Sequence, residues 1–154
     1  RKKYINEILG RLKDHKEYLT KIYYDFIDSC EEEDCILRKF YSIVPELLYE
    51  IDFLKRNDSK KIILFGAGKV GEKAYKKIKK QVVAFADNDA KKIEKFLKGK
   101  RIISFDEVKK MHEQYNIIIS VGNRYLFEVM EQFYINEIYN IATWPMYKKF
   151  LKIR

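Results

Sequence analysis

Residues Ile62-Ile63-Leu64-Phe65-Gly66-Ala67-Gly68-Lys69-Val70-Gly71 contain the pattern G-x-G-x-x-G. Such a match is weak by itself. Here it follows an apolar, β-rich run and opens a helical one, inside a unit of about 30 residues, and an acid, Asp87, ends the next β-rich run. Each residue type has a physical task. Gly66 permits a tight turn off the strand, Gly68 lets a pyrophosphate approach backbone unobstructed by a Cβ, and Gly71 lets the helix pack closely on the strand. The helix N-terminus adds unpaired N–H groups and a partial positive charge. Asp87, at the carboxyl edge of the neighbouring strand, can accept both hydroxyls of a ribose. Its charge would repel a 2′-phosphate, so NAD or an unphosphorylated ribose is favoured over NADP. Asp89 is the alternative acid, and Asn88 between them is read as shaping the turn. Lys69 either neutralises a phosphate or points to solvent. A glycine-rich turn that holds no ligand is the competing account. No G-K-[ST] follows, so the turn is not a P-loop.

A second candidate contact is Ser120-Val121-Gly122-Asn123-Arg124, after a fully apolar run at Asn116–Val121. In an open α/β sheet it should lie across the switch point from the glycine turn, where ligands bind. Gly122 would allow close approach. Asn123 would either hydrogen-bond a sugar or base, or cap the helix that follows.

These residues need a scaffold. β-rich runs are read at Lys61–Phe65, Val82–Ala86, Arg101–Ser104, Asn116–Val121 and Glu137–Ile141, with helices over Val70–Lys80, Asp106–Gln114 and Arg124–Gln132. Alternation of this kind, with strands apolar on both faces, predicts an α/β domain: a Rossmann-like parallel sheet of about five strands with flanking helices over residues 59–154. Residues 1–58 read instead as a helical region. Ile5, Ile8, Leu9, Leu12, Leu19, Ile22, Tyr23, Phe26 and Ile27 form an apolar stripe near the 3.6-residue period. A second stretch holds Ile36, Phe40, Ile43 and Val44, and Pro45 starts a third helix with Leu47, Leu48, Ile51 and Leu54 inward. The stripe must be covered, against either the sheet or a second copy, and a docking or dimerisation element joining the chain to a second copy or a larger enzyme is the expectation.

A length of 154 residues suffices for one domain with an appendage, and 47% hydrophobic residues supply a core without disulfide or metal staples. Cys30 and Cys35 lack the second pair that a zinc site needs and are read as free thiols of a reducing cytosol, so no metal site is expected. No apolar run approaches the roughly 20 residues of a membrane span. No apolar segment follows Arg1-Lys2-Lys3 as in a signal peptide. These readings predict a cytoplasmic protein without a membrane partner, and the first residue, not being Met, leads us to expect a fragment. The net charge of +9 is uneven: residues 1–58 carry 11 Lys and Arg against 13 Asp and Glu, and residues 59–154 carry 21 against 10. A basic half could meet nucleic acid, and Lys73, Lys76, Lys77 and Lys80 share one helix face. No recognition-helix or aromatic–basic RNA motif accompanies them, so a solvated lysine face is preferred.

Two features imitate catalysis. Tyr75-Lys76-Lys77-Ile78-Lys79 spells Y-x-x-x-K, but on the helix that directly follows the glycine turn, where an acid–base pair for a nicotinamide enzyme is misplaced. His15 and His112 show no acid partner for triad chemistry. Trp144-Pro145 is read as packing at the end of the last strand region.

The stretch from Ile62 to Ile141 resembles small Rossmann-like domains of bacterial surface-polysaccharide enzymes. The resemblance rests on Leu64-Phe65-Gly66-Ala67-Gly68-Lys69-Val70-Gly71, Val83-Ala84-Phe85-Ala86-Asp87-Asn88-Asp89, Ile102-Ile103 and Ile117-Ile118-Ile119-Ser120-Val121-Gly122-Asn123. It is similar to the N-terminal domain of sugar O- or N-acyltransferases that carry a left-handed β-helix, and to the nucleotide-binding region of polysaccharide-biosynthesis sugar epimerases and dehydratases. The first likeness implies a bound nucleotide sugar with catalysis in the β-helix. The second implies NAD at the glycine turn, with the catalytic tyrosine in a later segment. Only Gly66, Gly68, Gly71 and Asp87 carry over. The expectation is a small-molecule nucleotide-binding domain, for NAD or a nucleotide sugar, within sugar-modifying machinery. An NAD-dependent sugar epimerase or oxidoreductase is the alternative, and nucleic-acid binding a second one.

Overall fold

The computed structural model describes residues 60–138 and 140–153. The expected helices of residues 1–58, with His15, Cys30 and Cys35, lie outside the described residues.

Four runs of β-branched and aromatic residues become the parallel core of the sheet: β1 (Ile62–Phe65), β2 (Val82–Ala86), β4 (Lys100–Ile103) and β5 (Asn116–Ile119). A two-residue β3 (Phe96–Leu97) and β6 (Ile141–Thr143) form the edges. The strand order is β3-β4-β2-β1-β5-β6, parallel throughout except for the antiparallel β3–β4 pair. β1 thus lies at the centre, its successor β2 on one side and β5 on the other. The direction of chain progression reverses between β1 and β5, and the loops leaving those two strands are set side by side at the carboxyl edge. Every residue of β1 and β5 is buried, as strands covered on both faces require.

The helices are α1 (Lys69–Ile78), α2 (Phe105–Met111), α3 (Leu126–Ile135) and α4 (Trp144–Ile153). Adjacent strand residues point to opposite faces, so Phe85 and Phe65, offset by one register step, mark the two sides. Tyr75 of α1 packs on Phe85. Phe105 of α2 and Phe133 of α3 meet each other and Phe65 edge-on, at centroid distances of 5.1, 6.1 and 5.0 Å. One face therefore carries α1 and the other carries α2 and α3. Ser104 caps α2 by accepting the Glu107 N–H at 3.2 Å, with Asp106 and Glu107 in the first turn.

The expected α/β class and parallel sheet are present, with three departures. β3 is an extra strand. Lys98 and Gly99 both have positive φ, 52° and 77°, and close a two-residue hairpin of primed type between β3 and β4. The last strand begins at Ile141 rather than Glu137, because α3 runs past Gln132 and ends in a left-handed cap. Glu137 takes φ 58°, its N–H reaches the Tyr134 carbonyl, and the Ile138 N–H reaches Phe133 while its side chain is buried. That is a Schellman closure made with Glu in place of the usual Gly. Trp144 opens α4 rather than ending a strand, and it packs in the core beside Tyr147. Among the described residues, no helix is long and apolar enough to cross a membrane.

Candidate functional site

The chain leaves β1 through a turn whose shape depends on two glycines. Gly66 has φ +124°, a conformation that side chains rarely adopt, and a Cβ there would strike the Ser120 carbonyl. A Cβ on Gly71 would strike the Gly66 carbonyl. These two glycines allow β1, α1 and the strand end at Ser120 to crowd together. Ser120 is buried and ties the turn down: its N–H donates to Phe65 O at 2.8 Å, and its Oγ lies 3.3 Å from both the Phe65 and Gly66 carbonyls.

Gly68 is different. Its φ is −110°, and a Cβ there would meet only the flexible Lys92 Nζ at 3.9 Å. Neither strain nor packing calls for glycine at this position. It stands at the N-cap of α1, where no side chain satisfies the first-turn N–H groups.

Asp87 ends the neighbouring strand, and its carboxylate is 18% exposed. Oδ2 accepts the Ala67 N–H at 2.9 Å and Oδ1 accepts the Asp89 N–H at 2.9 Å. The acid read as a ribose acceptor thus also organises the loop beside it. Each oxygen keeps a second lone-pair site, so acceptor capacity remains. Asp89 in turn accepts the Lys91 N–H. Lys92 reaches back over the turn, donating to Ala67 O at 3.4 Å with its Nζ 4.0 Å from Asp87 Oδ2.

These groups line one open cleft of about 960 Å³, within the size range of small-molecule sites. Its walls include Gly66, Gly68, Lys69, Asp87, Lys92, Ser120, Val121 and Gly122. The turn after β1, the acid after β2 and the loop after β5 therefore converge, as the strand order dictates. Gly71 lies behind, buried at the strand–helix contact. Asn123 does not line the cleft. It is exposed, opens the short turn Asn123–Tyr125, and does not cap α3 with its side chain. Gly122 holds the cap position of that turn instead.

Three features of the cleft carry no local sequence signal. Lys92 comes from the turn after Asp87, where a run of lysines conceals which one folds back. Tyr125, 51% exposed, lines the cleft with the Arg124 guanidinium 5.7 Å from its ring centre. Asn88 does not merely shape the turn: its amide exchanges two hydrogen bonds with Gln132 of α3, at 2.8 and 3.0 Å. Pairings of that kind join residues 44 apart and leave no local spacing signal.

The groups that imitate catalysis lie elsewhere. Tyr75 points toward the β3–β4 hairpin, its hydroxyl 3.5 Å from Lys98 O, and is not among the cleft residues. His112 precedes β5, at the opposite end of the sheet, with its Nδ1 3.2 Å from Asn140 Oδ1. Among the described residues, no cluster of His, Cys, Asp and Glu is suited to a metal ion.

A family model described as C2185-like, N-terminal, matches residues 58–141. Among solved structures, UDP-D-quinovosamine 4-dehydrogenase from Vibrio fischeri is similar over 51% of this chain and 75% of that chain, at 20% identity and a TM-score of 0.39. No curated protein matches the sequence.

Proposed function

The chain belongs to the C2185-like, N-terminal family, and we propose that its domain binds a nucleotide, NAD or a nucleotide sugar, in the cleft at the β1–β5 switch point. The observation that carries this reading is Gly68. Gly66 and Gly71 are accounted for by backbone strain and packing, whereas a Cβ at Gly68 would meet only the flexible end of Lys92. The remaining use of a missing Cβ at a helix N-terminus is to let an anionic group come close to the backbone. Lys69 and Lys92 at the rim supply positive charge for a phosphate. The free lone-pair sites of Asp87 suit ribose hydroxyls, and its charge disfavours a 2′-phosphate.

The binding module serves a sugar-processing assembly, a role supported by the motif resemblance rather than by the cleft's geometry. Acid–base chemistry by Tyr75 is disfavoured, because that side chain faces the hairpin and not the cleft. A thermal-shift panel of NAD, NADP, UDP-sugars and S-adenosylmethionine tests the reading. A ligand at 100 times its dissociation constant adds about 2.7 kcal/mol of stability. NAD or a UDP-sugar should raise the melting temperature, and Gly68→Trp should abolish the rise. No shift with any ligand would overturn the proposal.

A further inference from the structure

We propose that the paired amides of Asn88 and Gln132 are the base-reading element of the cleft, an inference that rests on the nucleotide-binding reading above. The pair bridges from the loop after β2 to the helix that follows β5, and so spans the two sides of β1. Both side chains line the cleft. Their mutual bonds use one N–H and one carbonyl lone pair of each amide. Each amide therefore retains one donor and one acceptor. On either edge of the pair the free N–H of one amide lies beside the free carbonyl lone pair of the other, a donor–acceptor couple of the kind that a single Asn or Gln offers to the edge of a nucleobase. Being bonded to each other, the two amides are held in a defined orientation before any ligand arrives.

Their surroundings fit a base rather than a phosphate. Tyr125, Val129 and Gln132 follow one another at spacings of four and three, so they share one side of α3 and its entry turn. An exposed aromatic ring and an apolar side chain therefore sit beside the amides, and every base offers a π-face to such a surface. Charge is divided accordingly. Lys69 and Lys92 stand with the glycine turn, whereas the α3 residues that line the cleft include Glu128 and no lysine or arginine. A nucleotide lies with its phosphates at Gly68, its ribose near Asp87 and its base toward Asn88 and Gln132.

The test compares ligands that differ only in the donors and acceptors of the base. Binding of ADP against IDP, and of UDP against CDP, is measured by calorimetry on the full chain. Wild type should favour one member of a pair by about tenfold, as expected for one bidentate base contact. Asn88→Ala/Gln132→Ala should bring the two members within about threefold, with an unchanged melting temperature. Gln132→Met, which keeps the length and packing of the side chain, should shrink the same ratio and serves if the double variant folds poorly. Equal binding of all four ligands by wild type, or a ratio that survives both variants, overturns the base-reading role while leaving nucleotide binding intact. Failure of wild type to bind any of the four overturns the base-reading role, and it overturns both proposals if NAD and the UDP-sugars also leave the melting temperature unchanged.

Discussion

The Asp87 carboxylate accepts the Ala67 N–H at 2.9 Å, so the acid after β2 fixes the middle of the turn after β1. The same carboxylate accepts the Asp89 N–H and so shapes its own loop. The two loops of the cleft thus share one anchor before any ligand is present. Asp87→Asn offers a single acceptor oxygen to two donors, and its NH2 group faces the other N–H. Chemical denaturation without ligand should show a loss of about 1–3 kcal/mol, the cost of leaving such a donor unsatisfied. Unchanged stability would mean that Asp87 has no organising role.

The glycines of the turn should separate folding from binding. Gly71→Ala drives a Cβ into the Gly66 carbonyl. Relief requires α1 to move off β1, at a cost of about 1–3 kcal/mol, as for overpacked cores. Gly68→Val has room and an extended backbone. Its melting temperature should stay within a few degrees of wild type, while affinity for the nucleotide falls at least tenfold. A Gly68 variant that binds normally would remove the main support for the proposed site.

Lys69 and Lys92 should act through charge. Alanine at either position should weaken binding of a phosphate-bearing ligand several-fold and flatten its dependence on salt, since exposed charge interactions are screened over about 10 Å at 0.1 M. Lys77→Ala on the exposed outer face of α1 is the control and should change neither quantity. The comparison is a calorimetric titration at two salt concentrations.

The centre of the fold can be read from the residues because its signals are local. Four apolar β runs, a helix between the first two, and the glycine spacing place Gly66, Gly68, Gly71 and Asp87 together with no tertiary information. The edges are harder to read, because their signals depend on unusual backbone. Glu137 in a left-handed cap lacks the glycine that normally marks a helix stop, and Lys98-Gly99 is a weaker hairpin signal than Asn-Gly. Lys92, Tyr125 and the Asn88–Gln132 pair were hidden for another reason. Their roles arise from contacts between segments far apart in the chain.

Arg101 gives a pH-dependent prediction away from the cleft. Its guanidinium bonds both Glu94 and Glu107 and pins the β4 side of the hairpin. The hydrogen bond from Arg101 holds the Glu94 carboxyl below its ordinary 4.5. A carboxylate depressed in the folded state stabilises the protein above its unfolded value and loses that contribution as pH falls through the folded one. Arg101→Met should therefore melt slightly below wild type at pH 7, and the gap should close as the pH drops below 4.5. Because these groups are exposed, the gap should also shrink with added salt. A gap that is independent of pH would assign the effect to packing of the Arg101 stem.

Nucleotide binding at the glycine turn is tested residue by residue by titrating the isotopically labelled protein with NAD and with a UDP-sugar and following backbone amide chemical shifts. Saturable shifts are expected at Gly66–Val70, Asp87–Lys92 and Ser120–Gly122 with at least one of the two ligands. Absence of saturable shifts with both, or shifts confined to the lysine face of α1, would contradict binding at that turn.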